Sequence, residues 1–319
     1  MSSINDKNQS VLISFWNYVK NPRYNVDFLK KDFHLKVWDI LKLWSLLLVI
    51  SLGVGMLVSF LLMWVGYDDQ KHAIVDLMMN QPIYVLILFA IVWAPIAEEL
   101  TFRMGLKYSA FRFSFFIGFF LILIINLSGT FWPQLANILP WLFSESQIGS
   151  VLSNLSFVIA IGLVLGIILR KTADPKKFEK FYSERFTWIF YFLAIIFALL
   201  HLTNYTDFKQ IWYLAPILIF PQFILALVLG YVRMKYGLGW AMFNHLVHNG
   251  LLVVPVVLIT RLSDGLMESI QNQDLEALQN ISGSDLTILA VIGWGAIIFG
   301  IFILTLLINL ILEAVRNRK

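Results

Sequence analysis

Two adjacent carboxylates, Glu98 and Glu99, lie in a part of the sequence that is otherwise apolar. They follow an uncharged apolar run from Ile83 to Trp93. An ionisable side chain at bilayer depth costs roughly 2.5–3.5 kcal/mol on insertion scales, and such residues commonly belong to a transport pathway or a reaction. We therefore start the search for chemistry at this pair.

The helix that carries the pair is expected to give the two carboxylates different surroundings. Glu99 and Arg103 are four residues apart, so they share a helix face and can form an ion pair. Glu98 points about 100° away and has no local partner. Pro95 has no N–H to donate to the carbonyl of Ile91, which predicts a bend just before the pair and a polar pocket there.

Histidine and asparagine side chains on two later apolar segments could act together with Glu98. His201 ends one segment, and His245 and Asn249 share a face of another because they are four residues apart. A carboxylate in a partly desolvated cavity can take a proton from water, and a neighbouring histidine can orient that water or pass the proton to a leaving amine. His245 and Asn249 can donate hydrogen bonds to the oxyanion that develops on a peptide carbonyl. These residues predict hydrolysis of an amide by activated water, without a covalent intermediate.

Other hydrolase designs lack the residues they need. The chain has no cysteine, which excludes a disulfide framework, a thiolate nucleophile and zinc held by cysteine. It has no His-Glu-x-x-His sequence, and no predicted span holds an aspartate. Ser128 and Ser282 fall in predicted loops without a histidine at a useful depth.

The composition predicts an all-α, polytopic membrane protein of about eight transmembrane helices with a central polar cavity. Hydrophobic residues make up 59% of the 319 residues and charged residues only 14%, with a mean hydropathy of +0.76. A transmembrane helix needs about 20 apolar residues. The predicted spans are Ile40–Val65, Ile83–Leu106, Phe113–Leu127, Leu152–Leu169, Phe186–Leu202, Ile211–Val232, Leu238–Ile259 and Leu286–Leu312.

The basic residues predict the orientation of the chain. If both termini are cytoplasmic, all but three of the 24 Lys and Arg residues lie inside; the exceptions are Lys71, Lys209 and Arg261. The net charge of +4 then reflects orientation, and no basic stripe with base-stacking aromatics indicates a nucleic-acid partner. Residues 1–39 form a polar cytoplasmic segment with an interfacial helix predicted at Val11–Val19, and residues 40–319 form a single transmembrane domain.

Ionisable side chains concentrate in three of the eight spans. Asp, Glu and His are absent from the apolar cores of the other five, so Glu98, His201 and His245 meet if the second, fifth and seventh spans pack around one cavity. Counted along straight helices, Glu98 lies nearer the inner face and His201 nearer the outer face. Their convergence therefore requires helices that tilt, kink or end within the cavity.

The motifs Glu-Glu-x-x-x-Arg, Phe-x-x-x-His and His-x-x-x-Asn, in this order on three apolar helices, resemble the motif set of the CPBP family. Here they are Glu98, Glu99 and Arg103, then Phe197 and His201, then His245 and Asn249. The family comprises type II CAAX prenyl endopeptidases and bacteriocin-processing or self-immunity (Abi) proteins. The resemblance covers residues 84–255, with the hairpin of the third and fourth spans inserted between the first two motifs.

The resemblance implies an intramembrane endopeptidase that acts on a membrane-associated peptide or protein. Glu98 would activate water with His201, His245 and Asn249 would form the oxyanion site, and Glu99 and Arg103 would support them. The resemblance leaves two mechanisms open, one metal-free and one in which Glu98, His201 and His245 hold zinc. It implies a multi-pass protein of the cell membrane with both termini cytoplasmic.

Simpler interpretations and other functions also fit the sequence. Glu99 and Arg103 could form only an ion pair at a helix end, Phe197 could serve only packing, and His248 could be a structural contact on another face than Asn249. Two other functions compete with proteolysis. One is a non-catalytic scaffold or bacteriocin-immunity protein, and the other is a transporter in which the buried Glu and His form a proton relay.

Overall fold

The computed structural model describes residues 10–24, 31–67, 82–131, 147–205, 208–262 and 283–316. Their regular secondary structure is helical, and these residues contain no β-strand. The predicted loops at 68–81, 132–146 and 263–282, together with His72, lie outside the described residues. The all-α class predicted from composition is confirmed.

Nine helices follow one another along the described chain. They are α1 (Val11–Lys20), α2 (Phe33–Trp64), α3 (Ile83–Leu106), α4 (Ala110–Phe131), α5 (Gln147–Thr172), α6 (Pro175–Leu200), α7 (Phe220–Lys235), α8 (Leu238–Leu262) and α9 (Gly283–Arg316). Short 3₁₀ turns and the helix Ala215–Leu218 connect α6 to α7.

The eight predicted spans correspond to helices α2 to α9. Seven segments among the described residues, all but α8, are long and apolar enough to cross a membrane, and α8 is 25 residues long. The protein is therefore a multi-pass membrane protein. Helices α2 and α6 begin at Phe33 and Pro175, earlier than predicted, because hydropathy detects only the apolar core of a helix whose ends are polar. As a result Asp39, assigned to the N-terminal segment, lies within α2.

Helix α3 departs from regular α-helical geometry within its membrane-length span. It begins as α-helix at Ile83–Leu86, continues as π-helix at Ile87–Trp93, returns to α-helix at Ala94–Phe102 and ends in a 3₁₀ turn at Met104–Leu106. Stretches of π-helix are rare and often mark functional sites. Helix α3 thus changes its hydrogen-bond register directly before Pro95, and the bend predicted there stays a prediction.

Helices α4 and α5 form a close hairpin against α3. A Cβ on Gly118 would lie 3.2 Å from the carbonyl oxygen of Val158, so the two backbones touch at this point. Gly105 at the end of α3 lies directly under the ring of Phe116, where a Cβ would be 2.6 Å from the ring. Glycine thus lets α4 pack tightly against both neighbours.

Helices α6, α7 and α8 complete the wall around the site. Phe190 of α6 packs over Gly230 of α7, and α7 is the most deeply buried of the candidate spans. The turn from α7 to α8 requires Gly237, whose φ of 117° disfavours any side chain. This tight turn places α8 antiparallel to α7, with His245 and Asn249 about two and three helical turns into α8.

Helix α1 packs into the helix bundle. Its Phe15 and Tyr18 lie against Tyr231 of α7 with ring centroids 5.5 Å apart in each pair. Ser14 accepts a hydrogen bond of 2.9 Å from the Tyr231 hydroxyl, and the hydroxyl of Tyr191 donates to the carbonyl of Val19. A helix is thus present where one was predicted; its position at the membrane interface stays a prediction.

Candidate active site

Glu99, Arg103 and His245 form a buried charged cluster between α3 and α8. The carboxylate of Glu99 is completely buried. Its Oε1 lies 3.0 Å from Nδ1 of His245 and 3.5 Å from Nη1 of Arg103. The Glu99–Arg103 pair predicted from i,i+4 spacing is confirmed, and it lies inside the protein, where the alternative placed it at an exposed helix end.

The contact with His245 assigns hydrogens on its ring. A carboxylate oxygen accepts, so Nδ1 carries the proton that is shared with Glu99. In the neutral ring the other nitrogen, Nε2, then has a free lone pair, and it carries a proton to donate only in the imidazolium form. A carboxylate on one ring nitrogen fixes both the tautomer and the orientation of the ring.

Glu98 is the accessible member of the carboxylate pair. Its side chain is 30% exposed, and Oε2 lies 3.8 Å from Nε2 of His245. That Oε2 makes no hydrogen bond with the described protein groups. The two adjacent glutamates therefore contact opposite edges of the same imidazole, Glu99 from behind and Glu98 from the cavity side.

The ring of Phe197 connects the three motifs. It lies 4.8 Å from the ring of His201 and 6.0 Å from that of His245, measured between centroids. The guanidinium carbon of Arg103 lies 4.1 Å from the Phe197 centroid, in cation–π distance. Phe197 is fully buried, in agreement with a packing role. Its packing partners include His201, His245 and Arg103 of the candidate site.

The end of helix α6 brings His201 to the same place. The α-helix ends at Leu200, and His201–Asn204 continue as a 3₁₀ turn. Nδ1 of His201 lies 2.8 Å from the carbonyl oxygen of Phe197. Since a carbonyl only accepts, Nδ1 carries the proton, which leaves Nε2 of the neutral ring with a lone pair available as a base.

One cavity unites the residues predicted from the three motifs. This central cavity has a volume of about 490 Å³, and its lining includes Glu98, His201, His245 and Asn249. Glu99 and Arg103 lie behind its wall. Straight helices would hold Glu98 and His201 at different depths. The two residues meet here because α3 is irregular before Glu98 and α6 ends before His201.

Asn249 has a structural partner that the sequence did not reveal. In the π-helical register the N–H of Ala94 bonds to the carbonyl of Phe89, so the carbonyl of Ala90 would need the N–H of residue 95. Pro95 has none. The side-chain Nδ2 of Asn249 donates to Ala90 O instead, at 2.9 Å. The Asn249 amide thus bonds to the carbonyl of Ala90. The α-helical register assumed from the sequence had predicted that the carbonyl of Ile91 would be the one without a backbone donor.

Further polar side chains line the central cavity, and the sequence did not assign them to it. His248 and Gln222 both face it, and His248 Nδ1 and Gln222 Oε1 are buried without a hydrogen-bond partner among the described groups. His248 is three residues after His245, a spacing that shares a helix face and could have indicated its place. Buried polar atoms in native proteins are generally satisfied by protein, water or ligand, so these atoms indicate a hydrated or ligand-binding cavity.

A second cavity adjoins the first. This side pocket has a volume of about 350 Å³ and lies between α3, α6 and the α4–α5 hairpin. Both cavities are lined by Trp93, Glu98, His201 and Asn204. Glu98 and His201 therefore lie where the two cavities meet.

The zinc set considered from the sequence does not fit the side chains as placed. Within the described residues, no three His, Asp or Glu side chains are grouped closely enough to hold a metal ion. Zinc binding by Glu98, His201 and His245 stays a prediction, and the chemistry derived below passes through no metal.

Comparison of the chain with family models, with curated proteins and with solved structures found no match in any of the three.

Proposed function

We propose that this chain is an intramembrane endopeptidase of the CPBP type, which hydrolyses a peptide bond of a membrane-associated peptide or protein. The observation that supports the proposal is the shared cavity of Glu98, His201, His245 and Asn249 within a bundle of membrane-length helices. Three sequence motifs that lie up to 150 residues apart thus contribute to one site. Ionisable groups at this depth are costly without a use.

The first step is attack by water. Glu98, with one carboxylate oxygen free of protein hydrogen bonds, takes a proton from a water that His201 Nε2 helps to orient. The water oxygen bonds to the carbonyl carbon, and the carbonyl π electrons move to oxygen to give a tetrahedral oxyanion. When the intermediate collapses, the C–N bond breaks and the nitrogen takes the proton from Glu98 or through His201. The products are a carboxylic acid and an amine, and no atom of the protein is consumed.

His245 and Asn249 stabilise the oxyanion in this proposal. One N–H of the Asn249 amide is used by Ala90 O, and the second remains to donate. His245 can donate from Nε2 in its imidazolium form, in which the ring lies between the carboxylates of Glu98 and Glu99. Donors fixed before the reaction stabilise developing charge without reorganisation.

The cellular placement follows from the same proposal. The protein lies in the cell membrane with both termini cytoplasmic, and its substrate reaches the site within the bilayer. The CPBP resemblance suggests CAAX-type or bacteriocin-related peptides as the substrates. A non-catalytic scaffold or immunity protein, and a proton-coupled transporter, are the alternatives that the experiment below distinguishes.

The test compares membranes from cells that express the wild-type chain, Glu98→Gln or His201→Ala. New protein N-termini in each membrane fraction are identified by mass spectrometry. Loss of a general base lowers the rate by about 10²–10⁴-fold, so both variants should lose the N-termini that the wild type creates. Glu184→Gln and His34→Ala are the matched controls because both residues are exposed outside the site.

Three results are informative. Loss in the two site variants, with retention in the controls, supports hydrolysis. An unchanged set of N-termini in Glu98→Gln, with unchanged biological output, contradicts hydrolysis and favours the scaffold. Proton-coupled flux in proteoliposomes that depends on Glu98, without new N-termini, favours the transporter.

A further inference from the structure

We propose that the side pocket is a substrate subsite: it receives one bulky apolar side chain of a membrane-embedded peptide, next to the bond that Glu98 and His201 act on. The α4–α5 hairpin, which falls between the first two motifs, therefore sets the sequence preference. This inference rests on the proposed function and names the substrate class and the residues that select it.

The side pocket lies beside the two residues that we propose activate water. Glu98 and His201 line both cavities, so an occupant of the side pocket lies within contact distance of the groups that activate water. A side chain held there fixes the distance between the scissile carbonyl and those groups. Positioning of this kind is a large part of catalytic rate.

The lining of the side pocket indicates what it binds. Apolar side chains from the hairpin form its outer wall, and these are Phe119, Ile122, Leu123, Leu155 and Val158. Its volume of about 350 Å³ lies in the range of roughly 300–1,000 Å³ typical of ligand pockets. A large apolar side chain would fill this space and pack against the wall, and such packing is what favours association within the bilayer.

A buried amide indicates a peptide in preference to a lipid chain. Asn154 of α5 lines the side pocket, and its Oδ1 is buried without a hydrogen-bond partner among the described groups. A hydrocarbon chain has no donor, so it would leave this oxygen without a hydrogen bond, which is unfavourable for a buried acceptor. A backbone N–H of an extended peptide supplies the donor while its side chain fills the apolar part.

The hairpin is built as one preformed wall. Gly118 lets the backbones of α4 and α5 touch, while Gly162 and Gly166 receive the rings of Phe115 and Phe111. Among the described helices, α5 packs extensively against α4 alone. The edge between α5 and α6 is therefore not sealed by helix packing, and a peptide can reach the side pocket from the bilayer through this edge.

The first experiment measures occupancy and does not need cleavage. The chain has no cysteine, so Leu155→Cys in a Glu98→Gln background provides a single thiol in the pocket. Purified protein in nanodiscs is mixed with synthetic transmembrane peptides of leucine and alanine that carry one cysteine beside a Phe. Leu163→Cys is the matched control, because Leu163 is 47% exposed on the outer face of the same helix.

We expect disulfide cross-linking at Leu155→Cys at least about tenfold above Leu163→Cys, and loss of that excess when Phe in the peptide is replaced by Gly. Equal cross-linking at the two positions, or none at Leu155→Cys, overturns the subsite. The same excess with a thiol-bearing fatty acid in place of the peptide also overturns it, because the pocket is then a lipid site.

The second experiment measures preference among cleaved bonds. Leu155→Ala enlarges the side pocket and Leu155→Trp fills it, and a change of this size in an apolar pocket alters selectivity by roughly 10-fold or more. Residues beside the cleaved bonds should become larger with Leu155→Ala and smaller with Leu155→Trp, whereas Leu163→Trp should change nothing. Cleavage with an unchanged preference overturns the subsite and leaves the proposed function standing. Specific cross-linking without any Glu98-dependent cleavage supports the binding site and removes hydrolysis.

Discussion

At the scale of single residues, neighbouring glutamates have different environments because they contact opposite sides of one imidazole. Glu99 is fully buried and bound to His245 and Arg103. Glu98 is 30% exposed, and its Oε2, 3.8 Å from His245 Nε2, makes no hydrogen bond with the described protein groups. The first arrangement holds a cluster together, and the second leaves a carboxylate free to react. Glu98 and Glu99 are adjacent in the sequence, yet their side chains have different environments and different proposed roles.

Replacing each glutamate by glutamine should therefore change the free energy of unfolding by different amounts. Glu99→Gln removes the negative charge that faces Arg103, and breaking a buried pair on one side costs about 3–5 kcal/mol. Glu98→Gln removes only the longer 3.8 Å contact of a partly exposed carboxylate with His245, so its effect should stay below about 1 kcal/mol. Thermal unfolding of the two variants in the same detergent measures the difference, and equal midpoints would contradict this division of roles.

The sequence could predict part of this cluster. The i,i+4 spacing of Glu99 and Arg103 is local and sufficed to predict their contact. The contact of Glu99 with His245 joins residues 146 positions apart, and no local rule specifies which faces of α3 and α8 meet. The same limit kept His248 outside the predicted site, although its spacing from His245 was visible.

At the scale of helices, two irregular elements bring the chemistry to one depth. The π-helical stretch of α3 changes the rotation of the residues that follow, including Glu98, and the 3₁₀ turn after α6 lets His201 leave the helix axis. Counting along ideal helices separates the two residues because it assumes one register throughout. Pro95 indicated where α3 departs from regular α-helix, but the sequence around it did not specify that the irregular stretch would be a π-helix.

The α3 register makes Pro95 and Asn249 energetically coupled. Asn249→Ala leaves the partly buried Ala90 O without its side-chain donor, at a cost of up to about 1–3 kcal/mol. Pro95→Ala restores a backbone N–H that can serve the same carbonyl. In a double-mutant cycle the cost of Asn249→Ala should therefore fall by about 0.5–3 kcal/mol in the Pro95→Ala background. Unfolding midpoints of the four proteins provide the measurement, and strict additivity would show that the amide does not substitute for the missing N–H.

At the scale of the whole molecule, the spans were predictable because bilayer thickness sets the length of an apolar helix. Each of the eight predicted spans overlaps one of the helices α2 to α9, and the sixth, Ile211–Val232, also covers the short turns before α7. Their packing order around the cavity was not predictable in the same way, because it depends on small residues such as Gly118 and Gly230 whose neighbours become known only in three dimensions.

Orientation in the membrane is open to a direct test in this cysteine-free chain. Lys177→Cys and Lys209→Cys each introduce a single exposed thiol, on opposite sides if the basic residues set the orientation. A membrane-impermeant maleimide should label Lys209→Cys in intact cells, and label Lys177→Cys only after permeabilisation. The reverse pattern, or labelling of both from one side, would contradict cytoplasmic termini.

The docking of α1 against α7 also orders the events of biosynthesis. Ser14 leaves the ribosome before Tyr231, whose hydroxyl donates to it and which lies 217 positions later. At roughly 5–20 residues per second, this amounts to a delay of about 10–40 s. Helix α1 is thus complete well before its partner α7 exists, and during that interval the apolar face of α1 is uncovered.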